Sequence, residues 1–285
     1  MTIVHDPQCA DYGSSMRPEQ PARILRSHAH LQAAHPTWTW RLPTPAPEEI
    51  LALAHPPALL QRLGHGPDLD EDTPYFPGIR EHACRAAGAA LKAAQLAQSG
   101  EKAFSLMRPP GHHATRTQAM GFCYLNSIAI AALHVAAAGA KVAVWDFDAH
   151  HGNGTEDILR GRPGLFFASV HQYPGYPGTG TASAGNIANF PVAPHTPREQ
   201  HLAVLARSWE TVQAFQPDLV LVSAGFDAYV GDPITQMSLE TADFAELGHW
   251  LRQGGRPAAA ILEGGYSADL PQLIDAFLSA WNLEP

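Results

Sequence analysis

The chain has 285 residues, 45% of them hydrophobic and 16% charged, with a formal net charge of −9. That balance is ample for a packed core and excludes a basic nucleic-acid surface, which needs clustered Lys and Arg. The opening MTIVHDPQCADYG lacks the basic and apolar regions of a signal peptide, and no apolar run reaches the roughly 20 residues that cross a membrane; a cytoplasmic location and no membrane partner are expected.

Up to about residue 63 the pattern is the hardest to read: MRPEQPARILRSHAHL suggests a loop entering a helix, and PTPAPEEILALAH contains a helix start. An irregular segment, 67–78, precedes a helical pattern over 79–98. Apolar, nearly continuous runs at 103–107, 141–145, 165–170, 219–223 and 258–262 predict strands covered on both faces. Alanine- and leucine-rich segments at 124–138, 198–215, 241–253 and 270–281 complete an alternation that predicts a parallel sheet with right-handed crossovers. A second irregular region, 172–197, rich in Pro, Gly and Asn, is expected with 67–78 to wall a pocket. No linker or repeat divides the chain, so one domain over 1–285 is expected.

Polar groups gather at four strand ends. VAVWDFDAHHGNGT delivers Asp146, Asp148 and His150, and strand alternation would turn Asp148 and His150 to one side. LVLVSAGFDA delivers Asp227 as a third donor, and one His with two carboxylates leaves a position open for water, as a hydrolytic metal site requires. RPPGHHA supplies His112 and His113, and LEGGY ends on Tyr266. In such sheets sites form outside the carboxyl ends of the strands. Cys9, Cys84 and Cys123 have neither metal-ligand nor redox spacing. Most of the 16 histidines, such as His28, His35, His55 and His249, have no second ligand nearby and read as surface or satisfied core residues.

RPPGHHA, GFCYLNSIAIAA, DFDAHHGNGT, YPGTG, SAGFDA and EGGY, in this order and at these separations, resemble the histone deacetylase superfamily of zinc-dependent amidohydrolases. The match runs over nearly the whole chain and looks closer to class II proteins and their bacterial relatives, which include acetylpolyamine amidohydrolases. Asn153 supports this, because class I proteins generally carry Asp there. The resemblance implies an arginase/deacetylase-like three-layer α/β/α sandwich around a mostly parallel sheet. It assigns zinc, or alternatively iron(II), to Asp148, His150 and Asp227. It makes His112 and His113 the paired catalytic histidines, Asp146 and Asn153 their partners, and Tyr266 the donor to the oxygen that gains charge. It places a potassium ion among Asp146, Asp148, His150, Ser169 and Val170. Phe122 and Tyr176 would wall a tunnel, Gly121 would lie by the substrate amide, Asp72 at the rim and Ile234 at the selectivity position, with Gly264 and Gly265 bringing the Tyr266 loop close to the metal.

The implied reaction is hydrolysis of N-acetyl or other N-acyl lysine side-chain amides to free amine and carboxylate. An amidohydrolase for acetylpolyamines or another small amide is the alternative, and a module that binds acyl-lysine without turnover is a third reading. A dinuclear manganese hydrolase of arginase type is disfavoured by the HHGN run. The sequence departs from the family pattern at Arg17, where His is usual, and at Tyr176, where Phe is usual. Ile234 stands where eukaryotic polyamine deacetylases carry a glutamate, which favours acyl-lysine. Oligomeric state is left open.

Overall fold

The runs VAVWD, LVLVSA and AAAIL are buried at every position, so the strands they form must be covered on both faces. The computed structural model describes residues 1–283; the last two residues of the expected domain, 284 and 285, lie outside the described residues. Eight strands, β1 (Thr2–Val4), β2 (Thr39–Arg41), β3 (Ala103–Ser105), β4 (Val142–Asp146), β5 (Leu165–Gln172), β6 (Ile187–Val192), β7 (Leu219–Ala224) and β8 (Ala258–Leu262), form one sheet. Its order is β2-β1-β3-β8-β7-β4-β5-β6, and every pairing is parallel. The helices are α1 (Ala22–Ala34), α2 (Glu48–Leu51), α3 (Pro57–Arg62), α4 (Ile79–Gln98), α5 (Ser127–Ala137), α6 (Asn153–Leu159), α7 (Arg198–Ala214), α8 (Thr241–Gln253) and α9 (Leu270–Asn282). Packing joins α4, α5 and α6 in one group and α1, α8 and α9 in another, the outer layers of the sandwich. Among the described residues no helix is long and apolar enough to cross a membrane.

Four elements differ from the sequence reading. The expected irregular region 172–197 contains β6, an edge strand; its Pro191 lacks an N–H and is tolerated because an edge has one unpaired side. Asn153–Leu159 is a short helix to which the sequence reading gave no element. The strand expected over 103–107 ends at Ser105. The helix expected from 124 starts at Ser127, because the Asn126 side chain caps it by accepting the Ala129 N–H at 2.9 Å.

Because the strands are parallel, all their carboxyl ends reach one edge. In register, Asp146 of β4 lies beside Ser169 of β5 and Ser223 of β7, and Ala224 of β7 beside Leu262 of β8. The chains leaving β4, β7 and β8 therefore emerge side by side.

The N-terminal segment is pinned beneath that edge by a buried ion pair. Arg108, 0% exposed, donates to both Glu19 oxygens at 2.5 and 2.7 Å and to the Cys9 and Tyr12 carbonyls at 2.9 and 3.2 Å. Burial pushes the Glu19 carboxyl up, but Arg108 and Arg23 outweigh it and hold it below the ordinary carboxylate range. The stabilisation is thus present above the unfolded carboxylate pKa and is lost as pH falls through the depressed folded value. Glu19→Gln should lower unfolding free energy by about 3–5 kcal/mol near neutral pH, since it strands a buried guanidinium. Urea denaturation should also show the deficit shrinking in acid; an unchanged midpoint at pH 7 would refute the role given to the pair.

Candidate active site

β4 ends at Asp146, so strand alternation does not bring Asp148 and His150 together. The turn does: Asp148 Oδ1 accepts the His150 backbone N–H at 2.9 Å, an Asx-type turn. Asp148 Oδ2 accepts from the Gly264 N–H at 2.7 Å, and Asp227 Oδ1 from the Ala149 N–H at 2.7 Å. These bonds aim Asp148 Oδ1 and Asp227 Oδ2 at His150 Nδ1, which lies 3.3 and 2.8 Å from them.

One ligand atom from each of Asp148, His150 and Asp227 lies within 4.8 Å of the others. Both carboxylates are fully buried. Burial pushes the Asp148 carboxyl up, but His112 and His150 prevail and hold it far below its usual value, while burial and Asp148 push Asp227 up. Two carboxylates and one imidazole nitrogen, crowded together, are a donor set that fits a divalent cation. The backbone is shaped to the cluster. A Cβ on Gly225 would fall 2.0 Å from Asp148 Oδ2, and one on Gly264 would fall 2.4 Å from Asp227 Oδ2 and 2.5 Å from Asp148 Oδ2.

His112 and His113 sit beside this cluster with rings 4.1 Å apart. His112 Nδ1 pairs with Asp146 Oδ2 at 3.0 Å and its Nε2 lies 3.8 Å from Asp148 Oδ1. Burial disfavours the imidazolium, but Asp148 and Asp146 outweigh it and bring His112 up to about 10. His113 Nδ1 donates to Asn153 Oδ1 at 2.8 Å, the amide oxygen assigning the proton to that nitrogen. Burial, then His112 and His150, hold His113 well below its ordinary value. The two acids Asp148 and Asp146 thus push His112 up, while burial and the neighbouring His112 and His150 push His113 down.

A cavity of about 300 Å³ is lined by Arg17, Pro18, Asp72, His113, Gly121, Phe122, His150, Tyr176, Ile234 and Tyr266. Asp72 and Tyr176 come from the two regions expected to wall a pocket. The Tyr176 ring stands edge-on to His113 at 5.0 Å, and Phe122 edge-on to Tyr266 at 5.8 Å. Phe122 has φ 68°, a left-handed conformation that costs about 1–3 kcal/mol for a bulky residue; its N–H donates to Thr73 Oγ1 at 3.0 Å. The Tyr266 ring also lies under the Arg23 guanidinium, 4.8 Å from its centroid. Gly264, expected to bind substrate, lies beside the carboxylates, its N–H donating to Asp148 Oδ2. Ser169 and Val170 are buried near the end of β5, and Ser169 Oγ pairs with His171 Nδ1 at 2.9 Å.

Two acids here had no role in the sequence reading. Glu263, fully buried, accepts the Gly111 and His112 N–H groups at 2.6 and 3.1 Å through Oε2 and so fixes the turn that presents the two histidines. Asp232 accepts the Tyr266 N–H at 2.8 Å. Glu263 opens the EGGY string, and Asp232 stands two residues before Ile234.

A family model described as the histone deacetylase domain matches residues 17–281, and the chain belongs to that family. It is 38% identical over 208 residues to an acetylpolyamine amidohydrolase of Mycoplana ramosa, covering 68% of this chain and 61% of that protein. It is 35% identical over 291 residues to a histone deacetylase-like amidohydrolase of Pseudomonas aeruginosa, covering 93% and 75%. A crystal structure of an acetylpolyamine aminohydrolase from Burkholderia pseudomallei superposes with a TM-score of 0.91 at 27% identity, covering 99% of this chain and 98% of that one.

Gly264→Ala should weaken retention of a divalent metal by about 10–100-fold, the scale seen when groups orienting metal ligands are changed. Metal content after dialysis against graded chelator measures this; retention equal to that of the unaltered protein would mean the cradle is not required.

Proposed function

We propose that this histone deacetylase family member is a metal-dependent hydrolase of linear N-acetylated amines, with an acetyl-lysine side chain in a peptide or protein as its first substrate. The observation that carries the reading is that His113, His150 and Tyr266 face one cavity walled by Phe122 and Tyr176, a slot suited to an extended alkyl chain ending in an amide. Asp148, His150 and Asp227 would hold the cation, for which zinc is the first choice and iron(II) the second. When bound, it supplies Lewis acidity and lowers the pKa of water from about 15.7 toward about 7.

The remaining work falls to the chain's own groups. With Nδ1–H engaged by Asn153, the neutral His113 keeps its Nε2 lone pair free to accept a proton from the attacking water. The C–O bond forms, the C–N bond breaks, and the same nitrogen returns the proton to the departing amine. His112, held by Asp146, keeps positive charge beside the two carboxylates. Burial keeps the Tyr266 hydroxyl protonated, so it can donate to the carbonyl oxygen as charge develops there. A potassium ion among Asp146, Asp148, His150, Ser169 and Val170 belongs to the proposal through the family resemblance. The same holds for one catalytic domain over the chain, supported by a cavity lined from residue 17 to residue 266.

Acetylpolyamine is the second reading. The relatives named for that activity favour it, and so does the exposed Asp72 carboxylate at the cavity. Ile234 and Arg17 favour the first, because neither an apolar side chain nor a guanidinium pairs with a remote ammonium.

Amine release from an acetyl-lysine peptide, acetylputrescine and acetylspermidine, each with and without chelator, tests the proposal. Chelator-sensitive release, fastest from the peptide, is expected. Release from the polyamines alone would move the assignment to the second reading, and none from any substrate by metal-loaded protein would sink both. Tyr266→Phe should keep metal content while lowering kcat about 10²–10³-fold; undiminished turnover would remove the tyrosine from the mechanism.

A further inference from the structure

The loop that carries Tyr266 is tied down at three successive residues. The Gly264 N–H donates to Asp148, the Gly265 carbonyl accepts from Arg23 Nε at 2.7 Å, and the Tyr266 N–H donates to Asp232 Oδ2 at 2.8 Å. The first two ties involve groups already placed at the metal cluster or against the tyrosine ring. Asp232 touches neither. It lies between β7 and α8, is 7% exposed, and its Oδ1 accepts the Ile234 N–H at 3.1 Å. Burial first, then the acids Asp227 and Asp148, work against its charge.

A buried carboxylate facing like charge is costly, so its chemistry asks for a reason. Two backbone N–H groups from segments more than thirty residues apart, 234 and 266, point at its two separate oxygens. An amide could accept only one of them and would turn its own NH₂ toward the other. The residues whose N–H groups are held, Ile234 and Tyr266, both line the cavity.

We propose that Asp232 is a positioning residue that clamps the Tyr266 loop to the Ile234 loop and thereby sets the tyrosine hydroxyl at the height where an acyl oxygen is met. This rests on the reading of Tyr266 given above. The hydrogen bonds of Asp232 go to Tyr266 and Ile234 and to no proposed metal ligand, so its loss should damage the rate and leave binding intact.

Asp232→Asn in the metal-loaded protein should lower kcat about 10–100-fold, the scale of a misplacement near 1 Å, with KM within about twofold and metal content unchanged. In a Tyr266→Phe background the same change should cost less than about twofold, because the group it positions is gone. An equal loss in both backgrounds, or lost metal, would overturn the proposal in favour of a general structural role; an unchanged kcat would overturn it outright. A second measurement needs neither a variant nor turnover. In the unaltered protein the Tyr266 amide should exchange hydrogen slowly, and fast exchange there would remove the clamp. If no substrate turns over, the reading of the reaction fails, while this exchange measurement still decides whether the clamp exists.

Discussion

The site depends on keeping two buried carboxylates, Asp148 and Asp227, within reach of one imidazole. Mutual repulsion and lost hydration both oppose this. The opposition is met by oriented backbone: the N–H groups of Ala149, His150 and Gly264 each donate to a carboxylate oxygen. These donors and the carboxylates come from the segments that follow β4, β7 and β8. Those strands are neighbours only because of the sheet order, so the fold reaches the chemistry through which strands lie side by side. Glycine at 225 and 264 then becomes a requirement of volume, since a methyl group there would overlap the carboxylates.

A second asymmetry lies one layer out. His112 and His113 are adjacent in sequence and nearly in contact, yet one faces Asp146 and the other Asn153. Carboxylates push the first of these imidazoles up, while burial and its histidine neighbours push the second down. Environment commonly sets like titratable groups apart in this way. Glu263 serves both histidines at once by holding the turn on which they sit.

Much of this was legible in the sequence because the signals are local. Five near-continuous apolar runs marked the strands, and polar residues at their ends marked the site. The expected partners of His112 and His113 lie where the structure pairs them. What the sequence hid follows from three physical causes. Elements of three residues, β1 and β2, are too short for any periodicity. The edge strand β6 and the helix α6 contain Pro, Asn or Gly that read as breakers, while edge pairing and tertiary contact override propensity. Roles that consist of accepting a distant backbone N–H leave no pattern; Glu263 and Asp232 are single acids with partners far away along the chain. The turn that joins Asp148 to His150 was expected to be strand, an error in cause that left the pair itself recognisable.

The bonds from Arg23 to the Gly265 and Glu263 carbonyls span 242 and 240 residues. On a ribosome moving at about 5–20 residues per second, the first partner emerges roughly 10–50 s before the last. Helix α1 can pair its arginine with Glu19 at once, but these two bonds must wait until β8 has been made. The groups of this site can come together only once β8 and the loop that follows it have been made.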